Sequence, residues 1–328
     1  MNQTVLLDVK DLRKEFTAAN FFGTVKRSVK AVDGVTLRIF KGETLGLVGE
    51  SGCGKSTLGR TLVRMYAPTG GTILFDGQDI TRLKGKELRP FHRRMQVIFQ
   101  DPYSSLDPHK RVRESIAEPL SVFEKAGTKE TDEKIADLLR RVGLQPDDMD
   151  KYPYEFSGGQ RQRIGIARAL SVNAEFILCD EPISALDVSI QAQVVNLLEE
   201  LQDELGLTYL FIAHDLSMVR HISDRIGVMY LGKILELGPS DAVYDEPLHP
   251  YTRILLSSIP EPDPDVQKDG GAVLTGEVPS PLNVPSGCRF HPRCPYAEEI
   301  CRTTEPELLQ YGDGHFAACH ACGKKKDR

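Results

Sequence analysis

The chain has 328 residues, enough for about two domains and a sizeable core. Its net charge of −6 argues against nucleic acid as the main partner, because nucleic-acid-binding proteins usually carry a basic surface. No apolar run is long enough to span a membrane, and the N-terminus lacks the features of a signal peptide. We therefore expect a cytosolic protein whose seven cysteines are thiols or metal ligands rather than disulfides.

The first third of the chain alternates short apolar runs with turns. Strands are predicted over residues 6–12, 35–39, 44–48, 72–75 and 95–99. A helix is predicted over residues 57–63. Residues 17–30 are predicted as a loop or an insertion, and residues 101–110 as a loop because Pro102 and Pro108 interrupt regular structure.

Helices and buried strands alternate over the middle of the chain. Helices are predicted around residues 135–142, 158–170 and 194–205, and strands over 176–179 and 209–213. This alternation predicts a mostly parallel α/β sheet, which binds ligands at the carboxyl ends of its strands. The prolines in residues 259–264 predict a stiff linker and a domain boundary, and the tail beyond it has little regular pattern.

A glycine-rich segment follows the predicted strand 44–48. It fits the pattern G-x-x-x-x-G-K-[ST], in which glycines let several backbone N–H groups point at one phosphate and the next helix begins at the anion. The lysine of the motif reaches the β- and γ-phosphates, and the hydroxyl after it ligates Mg²⁺. The predicted nucleotide-binding residues of this phosphate loop are Gly49, Ser51, Gly52, Cys53, Gly54, Lys55, Ser56 and Thr57.

Two further motifs stand at element ends. Asp180 and Glu181 follow a buried strand, where the first carboxylate can hold Mg²⁺ and the second can deprotonate a water; the alternative is an acidic pair in solvent. Ser157 begins a helix with Gly158, Gly159 and Gln160, which predicts a second anion-binding helix start; the alternative is an ordinary helix cap. The residues alone leave open whether both helix starts serve one nucleotide.

The ordered set of motifs carries a family resemblance. The phosphate loop, the Ser157–Gln160 signature, Asp180–Glu181, Ser184–Asp187 and His214 occur in that order. Over about residues 5–258 the chain resembles the nucleotide-binding subunit of an ABC transporter.

The resemblance implies a fold and a domain plan. The fold would be an α/β P-loop NTPase with a RecA-like core, an antiparallel β subdomain and a helical subdomain over about residues 101–170. The ATP-binding domain would span residues 1–258, and a small cysteine-rich region would occupy residues 259–328.

The resemblance also implies two ATP molecules held between two subunits arranged head to tail. Ser157, Gly158, Gly159 and Gln160 would contact the nucleotide of the partner subunit, and Asp187 would couple the two sites.

Individual catalytic roles follow from the same resemblance. Glu181 would be the catalytic base, Gln100 would sense Mg²⁺ and the attacking water, and His214 would contact the γ-phosphate beside Lys55. The implied Mg²⁺ ligands are Ser56, Gln100 and Asp180.

Phe16 is the implied adenine-stacking residue. Phe21 and Phe22 compete for that role, and packing in the core is the alternative for Phe16 and for His214.

Three segments are similar to those of dipeptide and oligopeptide importer ATPases. They are Gln100–Pro108, His249–Thr252 and the cysteine-bearing tail, and Phe156 replaces the leucine that is common before the signature serine. The resemblance implies ATP hydrolysis coupled to peptide uptake. The implied partners are a second ATPase chain that differs from this one, two transmembrane permease subunits and a separate substrate-binding protein. Leu106 and its neighbours are the candidate contacts with the permease subunits, and the alternative is that they are ordinary exposed loop residues.

The implied location is the cytoplasmic face of the cell membrane, with no nucleic-acid partner. The alternatives are a nickel or sugar importer ATPase of the same subfamily, a soluble ABC ATPase, and a redox or metal sensor in which the tail is the main functional part.

The tail contains Cys288, Cys294, Cys301 and Cys319, spaced C-x5-C-x6-C-x17-C, and then Cys322. Cysteines gathered in a loop-rich cytosolic segment predict a metal that holds it together. The importer resemblance implies a [4Fe-4S] cluster on the first four, with zinc or plain thiols as alternatives and Cys322 as a substitute for Cys319.

Overall fold

The computed structural model describes residues 4–19, 26–123, 128–259 and 278–322. Its strands are β1 (Val5–Ala19), β2 (Lys26–Phe40), β3 (Thr44–Val48), β4 (Gly70–Phe75), β5 (Gln78–Asp79), β6 (Met95–Ile98), β7 (Phe176–Asp180), β8 (Thr208–Ile212), β9 (Arg225–Tyr230), β10 (Lys233–Pro239), β11 (Leu309–Gly312) and β12 (His315–Ala317). Its α-helices are α1 (Lys55–Leu62), α2 (Arg89–Arg94), α3 (Val112–Phe123), α4 (Thr128–Arg141), α5 (Gly158–Leu170), α6 (Val188–Leu205), α7 (Leu216–Ile222), α8 (Ser240–Asp245), α9 (Pro250–Ser257) and α10 (Glu299–Thr303).

The central sheet carries the predicted parallel core. Its order is β11-β12-β10-β9-β3-β8-β7-β6, and the five strands from β9 to β6 are parallel. Every residue of β3, β7 and β8 is buried, as expected for strands covered on both faces. The carboxyl ends of β3, β6, β7 and β8 therefore meet at one edge, where the predicted motifs follow them.

An antiparallel sheet in the order β2-β1-β4-β5 packs on one side of the central sheet. The predicted loop over residues 17–30 is wrong at both ends, because residues 17–19 continue β1 and residues 26–30 begin β2. Long ladder pairing between these two strands outweighs the glycine and the mixed charge that indicated a loop. Residues 20–25 lie outside the described part of the chain.

The helical region lies within the predicted residues 101–170. Helix α3 packs against both α4 and α5. The sequence pattern predicts no helix over these residues. Pro119 lies inside α3, and the side chains of Val112, Ile116 and Leu120 are buried along one face. Burial of that face stabilises a helix that contains a proline.

The tail is continuous with the central sheet in the described residues. β12 pairs with β10, so that Glu236 lies opposite Ala317 and Leu237 opposite Phe316, and β11 adds the edge strand. Of the predicted linker 259–264, Ile259 alone lies within the described residues. The cysteine-rich region thus extends the core sheet, whereas the sequence suggested a segment with little regular structure.

Candidate functional site

The phosphate loop connects β3 to α1 through backbone that only glycine adopts without strain. Gly49 and Gly54 have φ angles of 150° and 111°. A Cβ at Gly49 would lie 2.1 Å from the Met229 carbonyl oxygen, and one at Gly54 would lie 2.1 Å from that of Ala31. The loop is therefore pressed against β9 and β2, and these two glycines allow that approach.

Lys55 is the first residue of α1, and its ammonium group folds back over the loop. Its Nζ donates to the carbonyl oxygens of Gly49 at 2.6 Å and of Glu50 at 3.2 Å. The side chain is buried, so one positive charge is fixed beside the backbone N–H groups that open α1.

A cavity of ≈ 290 Å³ lies above the loop. The predicted residues that line it are Ser51, Gly52, Cys53, Gly54, Lys55, Ser56, Thr57, Gln100, Glu181 and His214. Sequence reasoning missed Val29, Lys30, Ala31, Leu231, Gly232 and Pro281, which also line it. They come from β2, from the β9–β10 turn and from the tail, and no local motif identifies them.

Glu181 stands between the other two predicted catalytic side chains. Gln100 Nε2 donates to Glu181 Oε2 at 2.7 Å, and His214 Nε2 lies 2.8 Å from Oε1. The residue is 7% exposed and has a φ of 53°, a left-handed conformation rare for glutamate. Its N–H donates to Ile212 at 3.1 Å, which fixes this strained turn at the edge of the sheet.

Asp180 is held by a residue that sequence reasoning missed. Arg60 Nε and Nη2 lie 2.9 and 2.8 Å from Asp180 Oδ2, whereas Oδ1 is buried with no hydrogen-bond partner. Arg60 follows Ser56 by one helical turn, so α1 presents both side chains on one face. A buried carboxylate oxygen without a partner fits a Mg²⁺-bound water or the ion itself.

The signature segment faces away from the cavity of its own chain. Ser157 caps α5, since its Oγ accepts from Gln160 N at 3.3 Å and Gln160 Oε1 accepts from Ser157 N at 3.0 Å. Gly158 is partly exposed, and a Cβ at Gly159 would lie 2.5 Å from Ile190 Cγ2. Ser157 and Gln160 are exposed, and none of the four residues lines the cavity.

Phe16 lies on β1 beside the cavity but does not line it. Its ring is 41% exposed, packs edge-on against Tyr66 at 5.5 Å and lies 4.8 Å from Lys14 Nζ. Its partner in the ladder is Val29, which does line the cavity. The competing Phe21 and Phe22 lie outside the described residues.

Two other predicted contacts differ in exposure. Asp187 is exposed at the start of α6, where a hydrogen bond from Ser189 lowers its pKa. Leu106 is 2% exposed because its side chain packs in the core beneath the loop, so the predicted permease contact is wrong for Leu106 itself. Tyr103 of the same loop is 61% exposed, with the Arg161 guanidinium 4.0 Å from its ring.

The segment His249–Thr252 has a structural role. Glu236 of β10 is fully buried and accepts from His249 N at 2.9 Å and from Thr252 Oγ1 at 2.5 Å. Its other oxygen lies 2.8 Å from His315 Nε2 in the tail. Burial lowers the pKa of His249 to about 4, which keeps its Nδ1 free to accept from Tyr251 N.

Four of the tail cysteines lie near one another. Burial, together with the nearby thiols of Cys301, Cys319 and Cys294, raises the pKa of Cys288 to about 11. The Cys322 thiol is hydrogen-bonded to that of Cys319 and also lies 3.3 Å from the Leu248 carbonyl oxygen, to which it can donate. Within the described residues, however, no group of three or more His, Cys, Asp or Glu side chains is placed to hold a metal ion. The predicted [4Fe-4S] site is therefore not supported by this geometry.

No helix within the described ranges is both long and apolar enough to cross a membrane.

Comparisons with known proteins agree with these motifs. The family model "ABC transporter" matches residues 32–184, and "Oligopeptide/dipeptide transporter, C-terminal region" matches residues 235–301. The chain is 56% identical over 326 residues to the oligopeptide transport ATP-binding protein AppF of Bacillus subtilis, covering 97% of this chain and 98% of the relative. It is 58% identical over 322 residues to the putative oligopeptide transport ATP-binding protein YkfD of the same organism, covering 98% and 96%.

Solved structures of other ATP-binding cassettes have the same fold. The ATP-binding cassette MJ0796, in a dimeric post-hydrolysis state bound to ADP and phosphate, aligns with a TM-score of 0.63 and 27% identity, covering 71% of this chain and 98% of that one. CbiO1 from Clostridium perfringens aligns with a TM-score of 0.64 and 28% identity, covering 74% and 92%. The chain is a member of the ABC transporter ATP-binding family, in the group of oligopeptide transport ATP-binding proteins.

Proposed function

We propose that this chain is the ATP-hydrolysing subunit of an ABC importer that takes up dipeptides or oligopeptides. The observation that carries the proposal is the placement of Glu181 between Gln100 and His214, at the edge of the cavity formed by the phosphate loop. The relatives that match nearly the whole chain are oligopeptide transport ATP-binding proteins, which supports peptide as the cargo.

The site residues divide the chemistry among them. The loop N–H groups and Lys55 bind the β- and γ-phosphates, and Phe16 stacks on adenine. Glu181 orients the attacking water and takes its proton, while Gln100 and His214 hold the Glu181 carboxylate in place. Ser56, Gln100 and Asp180 would hold Mg²⁺, whose charge stabilises the transferring phosphoryl group.

The exposed signature segment, Ser157–Gln160, contacts the nucleotide bound by a partner subunit. Ser157 and Gln160 are exposed at the start of α5, away from the cavity of their own chain, so a second ATPase chain is needed to bring such a helix start to the nucleotide. We assign Gly158 and Gly159 to the same contact and Asp187 to coupling between sites. The partner in this head-to-tail dimer is a different chain.

Two permease subunits bind the ATPase pair at the cytoplasmic face of the membrane, and a separate binding protein delivers the peptide. Within the segment predicted for the permease contact, we assign that contact to Tyr103, a neighbour of Leu106 whose side chain is exposed. Residues 1–258 would supply the ATPase, and residues 259–328 would form an appended region, of which the described strand β12 extends the sheet.

We expect this chain to copurify with membrane permeases and to hydrolyse ATP faster when peptide-loaded binding protein is added. Transmission of cargo occupancy to the ATPase dimer is the physical reason. The measurement is ATPase rate in vesicles that contain the whole complex, with empty binding protein as the control. Stimulation by nickel- or sugar-loaded binding protein instead would reassign the cargo, and copurification with ribosomes or DNA would contradict an importer.

A [4Fe-4S] cluster on the four cysteines is a separate proposal, which rests on the resemblance of the tail to those of peptide importer ATPases and not on a preformed metal site in the described residues. Protein purified without oxygen is expected to contain about four iron and four acid-labile sulfide per chain. Cys319 is the predicted fourth ligand, and Cys322, whose thiol is hydrogen-bonded to that of Cys319, is the predicted substitute. Comparing the iron content of Cys319→Ser with that of Cys322→Ser shows which of the two holds the cluster. Wild-type protein without iron and sulfide would contradict the cluster, and bound zinc would replace it.

A further inference from the structure

The tail contacts the phosphate loop through one ion pair. Arg293 lies between Cys288 and Cys294 in sequence and is followed at once by the second of them. Its Nη1 and Nη2 lie 2.7 and 2.9 Å from the two carboxylate oxygens of Glu50, the second residue of the loop. The Arg293 side chain is 5% exposed, and its Nη1 also donates to the Tyr230 hydroxyl at 3.3 Å. This two-point geometry fixes both side chains.

Glu50 passes this restraint to the loop backbone. Its N–H donates to the Tyr251 hydroxyl at 2.9 Å, and its carbonyl oxygen accepts from Lys55 Nζ at 3.2 Å. Tyr251 packs against Tyr230 and against Phe290 of the tail, with ring centroids 4.8 and 5.2 Å apart. The side chain, amide and carbonyl of one loop residue are therefore all fixed, and two of the three contacts involve the tail or residues packed on it.

Charge gives the pair a second effect. Glu50 belongs to the loop that would bind the highly charged triphosphate, and an unpaired carboxylate on that loop would oppose the binding of an anion. The paired guanidinium neutralises this carboxylate and turns it toward the tail. Among the described tail residues, Pro281 lines the cavity, whereas Arg293 acts on the loop through Glu50 and does not line it.

We propose that Arg293 is a positioning residue for ATP binding: it neutralises Glu50 and holds the phosphate loop in its binding shape. The inference rests on the proposed function, because it assumes that the loop binds ATP. It makes the cysteine-bearing tail part of the ATP site, so that loss of tail structure weakens ATP binding without touching the chemical step.

The test compares Arg293→Gln, Glu50→Gln and the double variant in the full chain assembled with its partner subunits. Arg293→Gln leaves Glu50 unpaired and is expected to raise KM for ATP about tenfold with kcat nearly unchanged. In the double variant the repulsive charge is absent, so KM should fall back toward the value for Glu50→Gln. If Arg293 merely held the tail in place, KM for ATP in the double variant would be as high as in Arg293→Gln.

Glu305→Gln is the matched control. Glu305 joins the tail to Lys233 of β10 through an ion pair, and neither side chain lines the cavity above the phosphate loop, so KM for ATP should not change. An Arg293→Gln complex with the wild-type KM overturns the inference. A wild-type complex that neither binds nor splits ATP overturns the proposed function instead. Thermal unfolding of each variant shows whether a raised KM reflects misfolding. Arg293→Lys keeps the positive charge beside Glu50, so it should bind ATP better than Arg293→Gln does.

Discussion

Replacing Glu181 with glutamine is expected to slow ATP hydrolysis about a thousandfold while ATP binding persists, because the variant loses the general base but keeps the shape of the site. Glutamine has nearly the size of glutamate, and its amide can still accept from Gln100 and contact His214. In the wild type, Gln100 Nε2 lies 2.7 Å and His214 Nε2 lies 2.8 Å from the Glu181 carboxylate. The measurements are single-turnover hydrolysis and equilibrium ATP binding. Retained nucleotide should hold the ATPase pair closed, which size-exclusion chromatography with ATP will detect.

The matched control is Glu175→Gln. Glu175 immediately precedes β7, at the opposite end of the strand that leads to Glu181, and its carboxylate pairs with Arg94 at the protein surface. Loss of a half-exposed ion pair costs at most about 1 kcal/mol of stability, so turnover should be unchanged. Hydrolysis by Glu181→Gln at the wild-type rate would show that another group accepts the proton.

The sequence was sufficient for those parts of the site that depend on local backbone. The phosphate loop, Asp180–Glu181 and the Ser157 cap are each determined within a few residues by a strand end or a helix start. The parallel sheet then places them, because strands that alternate with helices bring their carboxyl ends to one edge. Gln100, Glu181 and His214, which are far apart in the chain, meet there for that reason.

Contacts between distant segments were beyond sequence reasoning. Nothing in the neighbourhood of Arg60 indicates that it will hold Asp180, and nothing near Arg293 indicates a contact with Glu50, 243 positions away. The pairing of β12 with β10 depends on the buried Glu236 and on His315, whose partnership appears only after both strands are placed. Leu106 was misjudged for the same reason, since exposure in a loop depends on the helices packed beneath it.

Ser157→Asp is expected to slow ATP hydrolysis about a hundredfold or more at the site where the start of α5 contacts the nucleotide of the partner subunit. ATP binding by the isolated chain should not weaken. Aspartate is as good a helix cap as serine, so α5 should keep its start and its stability. Its carboxylate, however, would stand at the exposed helix end and repel the γ-phosphate held by the other subunit. Ser157→Asn is the matched control, because it keeps the cap without the charge.

The two readouts locate the nucleotide contacted by the signature. ATP binding by the isolated chain reports the phosphate loop of the same chain, whereas turnover by the assembled complex reports the site completed by a partner. Because Ser157 lies outside the cavity that contains Lys55, ATP binding by the isolated chain should be unchanged and turnover by the assembled complex should be lost. A drop in ATP binding by the isolated Ser157→Asp chain would instead mean that one subunit completes its own site, and the head-to-tail dimer would have to be abandoned.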